Sequence, residues 1–186
     1  MQKIASCRFS LSVMSDNYKD VILNALTQVD ITTITSSTDL LSTTYIGDYR
    51  NVIGTLQAVF SAVNDNKTHI TMEATLSPVD IPQEITDSST TTAAKDFIVH
   101  GKIAIYPLGI PGYQNYIDYL IELGQNCSLY QKSSQHGFEF CGDIIGVFKF
   151  IQNFYHLTET EVNDFVIQLS LSINSPSLKR GAINHV

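Results

Sequence analysis

The chain has 186 residues, 44% of them hydrophobic and 10% aromatic, which is enough to bury the core of one domain or two small ones. Its formal net charge of −7 argues against nucleic acid as a partner, since binding a phosphate backbone requires clustered lysine and arginine, and it suits a cationic ligand. No run of about 18 apolar residues is present for a membrane-spanning helix, and Arg8 interrupts the only N-terminal segment that resembles a signal sequence. We therefore expect a cytoplasmic protein that is not embedded in a membrane.

The first part of the chain predicts the element order β-α-β-β-α-β. Apolar and polar residues alternate from Arg8 to Val13 and again from Ile70 to Leu76, which predicts a strand in each place. Apolar side chains at helical spacing predict a helix that is capped by Asp16 and ends near Val29, and a second helix capped by Asp48.

A hairpin with a polar tip lies between these two helices. We predict its strands at residues 31–35 and 40–46. Ser37, Thr38 and Asp39 lie in the turn between them, because these side chains favour turns.

The pattern occurs twice, with an offset of 95 residues from the first helix onward. That offset carries hairpin segment 36–48 onto 131–143 and strand 70–76 onto 165–171. Segment 78–96 is rich in serine, threonine and proline without periodicity, which is typical of a linker. We predict an α+β fold of tandem duplicated ferredoxin-like (βαββαβ) units with antiparallel sheets, both helices of each unit covering one sheet face. The predicted parts are a first repeat at 1–78, a linker at 79–97, a second repeat at 98–174 and a C-terminal tail at 175–186.

The sheet face opposite the helices is predicted to stay open. In the first unit it carries Arg8, Ser10, Ser12, His69, Thr71, Glu73 and Thr75. Such a polar face meets water, a second subunit or the other repeat, and the sequence leaves these alternatives open. Because open faces and strand edges need covering, we expect a homodimer.

No arrangement of residues in the sequence predicts catalysis. The five histidines are dispersed, none has the spacing of a nucleophile elbow or a metal site, and the phosphate-binding motifs GxGxxG and GxxxxGK[ST] are absent. Cys7, Cys127 and Cys141 lack CxxC spacing and are expected to be structural thiols. The sequence thus predicts a protein that is not an enzyme and has no metal site or cofactor.

Most of the polar chemistry is concentrated at the first hairpin tip. Its hydroxyl and carboxylate groups belong to Thr38, Asp39, Ser42 and Thr43. Ser10 is predicted on the neighbouring strand. Alternation places Thr43 beneath the helices with Leu41 and Tyr45, where its hydroxyl needs a partner in the backbone or in a bound ligand. The alternative is that these residues serve only the turn and the strand.

The second hairpin tip has different chemistry. The offset carries the four polar residues of the first tip onto Ser133, Ser134, Gly137 and Phe138. If Phe138 takes the position of Thr43, its ring fills the space that a ligand needs. We therefore predict a weaker or lost second site formed by Ile105, Ser134, Gly137 and Phe138.

The sequence resembles the YkoF-type family of thiamine- and hydroxymethylpyrimidine-binding proteins over nearly its whole length. The likeness lies in RFSL at Arg8–Leu11, TDxxST at Thr38–Thr43 and NSPS at Asn174–Ser177, together with Met14, Asp16, Gly47, His69, Ile70, Met72, Thr75, Ser77 and Tyr106-Pro107. The chain departs from the family pattern at Ser12-Val13, where Tyr-Pro is usual, and at Glu73, where the related sequence has asparagine.

The resemblance implies a non-enzymatic, cytoplasmic and dimeric protein that binds thiamine or its hydroxymethylpyrimidine (HMP) moiety. It also implies a role in uptake or salvage, with a functional link to a thiamine or HMP transporter, and contacts to the ligand from Ser10, Leu11, Ser42 and Thr43. The donor and acceptor groups of an aminopyrimidine suit these hydroxyls and the Asp39 carboxylate. The competing hypothesis is an ACT-like regulatory sensor of another metabolite that acts through oligomerisation.

Overall fold

A computed structural model describes residues 2–81, 96–134 and 136–177, and these residues form two successive runs of β-α-β-β-α-β. The first run comprises β1 (Gln2–Val13), α1 (Tyr18–Thr27), β2 (Thr35–Thr38), β3 (Thr43–Gly47), α2 (Tyr49–Val63) and β4 (Ile70–Ile81). The second run comprises β5 (Ile98–Pro107), α3 (Tyr113–Gln125), β6 (Tyr130–Ser134), β7 (Gly137–Asp143), α4 (Ile144–Glu161) and β8 (Phe165–Ile173). The predicted α+β class and the tandem ferredoxin-like arrangement are confirmed.

The strands of both units join in one antiparallel sheet of eight strands, in the order β2-β3-β1-β4-β8-β5-β7-β6. The units meet where β4 pairs with β8, with Met72 opposite Leu171 and Glu73 opposite Ser170. Residues opposite each other in an antiparallel pair point to the same face, so the helix-covered face and the open face both continue from one unit into the other. The two repeats thus meet along a shared strand edge, and none of the described elements covers the open polar face.

The hydrophobic core lies between this sheet and the four helices. Alternate strand residues such as Met72 and Leu171 are buried, and each large side chain buried in this way stabilises the fold by about 1.5–3 kcal/mol. Helices α2 and α4 pack across the unit boundary through Phe60 and Phe148, whose ring centroids lie 6.4 Å apart. Among the described residues, no helix is both long and apolar enough to cross a membrane.

Matching aspartates begin the second helix of each unit. Asp48 accepts a hydrogen bond from the Arg50 N–H at 2.9 Å, and Asp143 accepts one from the Gly146 N–H at 2.8 Å. Each cap contributes about 1 kcal/mol. The predicted cap at Asp16 is wrong, because α1 follows Asn17 and has no side-chain cap.

Several predicted boundaries in the first unit are also wrong. Helix α1 ends at Thr27, and the first hairpin strand occupies residues 35–38 rather than 31–35. The reason is a turn in which Asp30 accepts a hydrogen bond from the Thr32 N–H, so the β-branched residues there do not extend into a strand. Strand β3 begins at Thr43 rather than at residue 40, because Asp39 holds the preceding residues in a second turn.

Boundaries also shift in the second unit and next to the predicted linker. In the second unit the sequence pattern predicts hairpin strands at residues 127–131 and 138–141, whereas β6 covers 130–134 and β7 covers 137–143. Strand β4 runs on to Ile81 opposite Gln2, so residues 79–81 belong to the sheet. The rest of the predicted linker, up to residue 95, lies outside the described residues, as do residues 178–186 of the predicted tail.

Candidate functional site

All six residues predicted for the first site line one cavity of about 220 Å³ between α1 and the sheet. Its walls are Ser10, Leu11, Thr38, Asp39, Ser42 and Thr43, joined by Phe9 and Leu41, and its roof consists of Ile22, Leu23 and Leu26 from α1. A mainly apolar concavity with a few convergent polar groups is typical of a small-molecule site. We call this the α1 cavity.

The α1 cavity exists because β1 is longer than its neighbour β3. Strand β3 begins at Thr43, opposite Phe9, whereas β1 continues to Val13 paired with β4. Beyond Phe9, no described strand therefore pairs with β1 on the β3 side.

The open edge presents the main-chain polar groups of Leu11. The Met14 N–H donates to the His69 carbonyl at 3.0 Å, so even-numbered residues at this end of β1 bond to β4. The main-chain N–H and C=O groups of odd-numbered residues point away from β4 instead. Those of Leu11 therefore face the gap beside β3. Within the described part of the chain, no hydrogen-bond partner meets them there. The gap offers a ligand one donor and one acceptor side by side.

A pair of threonine hydroxyls lies on the opposite wall. Thr43 is 8% exposed, and its Oγ1 lies 3.1 Å from Thr38 Oγ1. One hydroxyl donates to the other, which leaves one hydroxyl proton and unused lone pairs for a third group. The predicted need of Thr43 for a partner is met by Thr38, and the pair still has hydrogen-bonding capacity.

Asp39 shapes the hairpin tip. Its Oδ1 accepts hydrogen bonds from the Leu41 N–H at 2.7 Å and the Ser42 N–H at 2.8 Å. These backbone bonds, Leu41 first, hold the pKa of the carboxyl below its usual range, and the nearby Arg8 charge adds to the effect. The prediction that Leu41 points beneath the helices is wrong, because it lies in the turn before β3 and is 87% exposed at the cavity rim.

The roof residues on α1 were not among the predicted site residues. Ile22 and Leu26 have the spacing of ordinary core residues, so the sequence does not distinguish them. Leu23 lies outside that apolar stripe and is 50% exposed. An apolar residue on the polar side of an amphipathic helix is the sequence signal that marks the roof.

The second unit has its strand edge occupied at the matching place. Phe9 lies opposite Thr43 and Ile103 lies opposite Phe138, so the structural counterpart of Leu11 is Ile105. The Ile105 N–H donates to the His136 carbonyl at 2.9 Å. The main-chain donor that is free at Leu11 is therefore already used in the second unit.

The Phe138 ring fills the space beneath α3. It is 1% exposed and packs against Tyr130, Phe150 and Phe154, with ring centroids 5.7–6.1 Å from its own. Gly124 on α3 makes room for it, since a Cβ there would lie 2.3 Å from the ring. Gly137, the counterpart of Ser42, is equally enclosed, because a Cβ would lie 1.8 Å from the Ile103 carbonyl oxygen. Ser134 pairs with Gly137 across the β6–β7 hairpin.

Two histidines on the open face contact a hydroxyl or a thiol group. His69 Nε2 lies 3.0 Å from Ser172 Oγ, and His100 Nε2 lies 3.6 Å from Cys141 Sγ. Burial raises the pKa of the Cys141 thiol, which favours the unreactive protonated form. The described residues contain no group of three or more histidine, cysteine, aspartate or glutamate side chains that could hold a metal ion.

Most of the sequence is similar to known proteins. The model of the YKOF-related family matches residues 4–84 and 98–178, one match for each unit. A protein of Bacillus subtilis (strain 168), named "Putative HMP/thiamine-binding protein YkoF", is 27% identical over 187 aligned positions. The alignment covers 95% of this chain and 94% of that protein.

Proposed function

The chain belongs to the YKOF-related family, and from this membership together with the α1 cavity we propose that it binds thiamine or its HMP moiety without catalysing a reaction. The observation that carries the proposal is the free donor and acceptor of Leu11 opposite the Thr38–Thr43 hydroxyl pair. We further propose a cytoplasmic role in uptake or salvage, linked to a transporter. The name of the Bacillus subtilis relative supports the choice of ligand.

The edge of an aminopyrimidine matches the open edge of β1. The exocyclic amino group donates and an adjacent ring nitrogen accepts, which is the complement of a strand residue that presents C=O and N–H on one side. The ligand would continue the sheet where β3 stops, so main-chain bonds give affinity as they do when a peptide adds to a sheet. Phe9 and Leu23 would contact the apolar ring faces.

The size of the α1 cavity favours a small ring. Its volume of about 220 Å³ is below the roughly 300–1,000 Å³ of pockets for drug-sized ligands. The cavity thus suits one substituted pyrimidine better than a larger cofactor.

Calorimetry on the purified chain tests the proposal. HMP and thiamine should each bind with one site per chain, whereas amino acids and nucleotides should release no heat. Thermal protection by compounds of the second group alone, with none from HMP or thiamine, would contradict the proposed function.

One observation favours the regulatory sensor as a second candidate. A larger cavity of about 500 Å³ lies on the open face, lined by Lys102, Lys132 and Glu139 among others. Both lysines already pair with Glu139, at 3.0 and 3.4 Å, so their charges are partly satisfied without a ligand. If the protein is a sensor, an amino acid should bind in this cavity and change the oligomeric mass that light scattering measures. The thiamine-binding proposal expects neither effect.

We propose that the protein is a homodimer. The β4–β8 pairing covers one edge of each unit, but the outer strands β2 and β6 and the open face have no cover within the described residues. Two-fold pairing is the commonest way to cover such surfaces. Light scattering at micromolar concentration should give twice the chain mass, and a monomeric mass would contradict the proposal.

A further inference from the structure

A second cavity adjoins the α1 cavity on the other side of the hairpin tip. It has a volume of about 370 Å³ and lies on the open face over β1, β4 and β8. Five residues line both cavities: Phe9, Ser10, Asp39, Leu41 and Ser42. Beyond Phe9 no β3 residue separates the two sheet faces. A ligand seated at the Leu11 edge can therefore extend into this open-face cavity.

The charges of the open-face cavity favour a cation. Its lining includes the carboxylates of Asp39 and Glu73 and the guanidinium of Arg8, which sum to one negative charge. Arg8 lies close enough to Asp39 to lower the pKa of that carboxyl, so their charges partly cancel. Glu73 is therefore the carboxylate in this cavity whose negative charge is least neutralised by a neighbouring cation.

Glu73 is held in place by the second unit. It lies opposite Ser10 on one side and Ser170 on the other. The Ser170 hydroxyl donates to Glu73 Oε2 at 2.6 Å, which orients the carboxylate. Its other oxygen has no hydrogen-bond partner among the described residues.

We propose that the open-face cavity receives a positively charged ring attached to the aminopyrimidine, with Glu73 as the residue that selects for the charge. This inference rests on the proposed function of the α1 cavity and adds a second compartment to it. HMP would occupy the α1 cavity alone, whereas thiamine would occupy both. An attractive carboxylate at a partly solvated site strengthens binding modestly, and salt weakens the effect.

Calorimetry with HMP and thiamine on matched variants tests the assignment. Glu73→Gln should weaken thiamine binding about two- to fivefold at low ionic strength and leave HMP binding unchanged. Ser170→Ala should act in the same direction on thiamine and to a smaller extent. Glu122→Gln is the control, because it removes an exposed carboxylate of α3 that lines neither cavity, and it should change the binding of neither ligand.

The outcomes separate this inference from the proposed function. If HMP binds but Glu73→Gln weakens both ligands equally, or neither, the inference is overturned and the proposed function stands. In the parent protein, salt should weaken thiamine binding more than it weakens HMP binding. This difference between the two ligands should be smaller in the Glu73→Gln variant, and an undiminished difference overturns the inference. Absence of binding by both ligands to the parent protein overturns the proposed function and this inference together.

Discussion

At the first hairpin tip, pairing between β1 and β3 stops at Phe9 and Thr43, whereas at the second tip the counterpart of Leu11 reaches on to the His136 carbonyl. Beneath the helices, the first tip has a hydroxyl pair and a cavity, while the second has the buried ring of Phe138. The aspartate caps of the second helices and the strand order are the same in both units. The comparison shows that a duplicated scaffold can close a site in two ways at once, by pairing the strand edge and by filling the space.

The largest expected difference between the tips is in stability. Phe138→Ala should lower the free energy of unfolding by about 3–5 kcal/mol, because it leaves a cavity among packed aromatic rings. Thr43→Ala at the matching position should cost only about 1 kcal/mol, since it removes one hydrogen bond at the wall of an existing cavity. Urea unfolding of both variants measures this. Equal losses would mean that the second tip is no better packed than the first.

Binding should respond in the opposite order. Thr43→Val keeps the side-chain shape but removes the hydroxyl, and we expect pyrimidine affinity to fall about ten- to a hundredfold. Phe138→Leu, a milder change at the matching position, should leave affinity nearly unchanged. Calorimetry decides between the tips. Two equal sites in the parent protein, or a larger loss of affinity from Phe138→Leu than from Thr43→Val, would show that the assignment of the site to the first unit is wrong.

The sequence was informative wherever a feature depends on a regular local pattern. Alternation, helical spacing and the offset between units predicted the duplication, the element order and the cap at Asp48, which the structure confirms. It also selected six residues that line one cavity.

The features that sequence reasoning missed depend on where pairing stops and on distant strands. The Leu11 edge is open because Asp39 holds a turn that delays the start of β3, and β-branched residues on both sides of that turn hide the boundary. The open-face cavity joins Glu73 with Gln168, which meet only because β4 pairs with β8. Nothing in either segment alone indicates that pairing.

A proline at the strand edge tests the main-chain part of the comparison. Leu11→Pro removes an N–H that bonds to no described residue, so the fold should persist while pyrimidine affinity falls about tenfold. The chain tolerates proline on this kind of edge, since Pro107 is the counterpart of Val13. Ile105→Pro is the matched change in the second unit, and it should destabilise the fold without affecting the site, because it breaks the bond to His136. Unchanged affinity in the Leu11→Pro variant would show that the Leu11 N–H does not contact the ligand.

The smallest expected difference between the units is in their response to acid. In the first unit, Asp65 accepts hydrogen bonds from the Thr68 hydroxyl at 2.6 Å and from the Thr68 and Lys67 N–H groups at 2.7 and 2.8 Å. These bonds, the Thr68 hydroxyl first, lower the pKa of Asp65 from 3.8 to about 2. The chain offset places Thr160, within α4, at the corresponding position of the second unit.

A carboxylate whose pKa is depressed by folding stabilises the fold above its unfolded value and loses that contribution as protons bind. For Asp65 the loss should run from about pH 4 down to about pH 2, and Asp39 should add to it in the same direction. Asp65 is mostly exposed, so solvent screening keeps its contribution below about 1 kcal/mol. Amide hydrogen exchange should therefore accelerate at Leu41, Ser42 and Thr68 over this window before it does so at Ile105. Asp65→Asn should abolish the acceleration of exchange at Thr68 and leave that at Leu41 and Ser42. If exchange accelerates first in the second unit as the pH falls, the prediction that the first unit is the more acid-sensitive one is wrong.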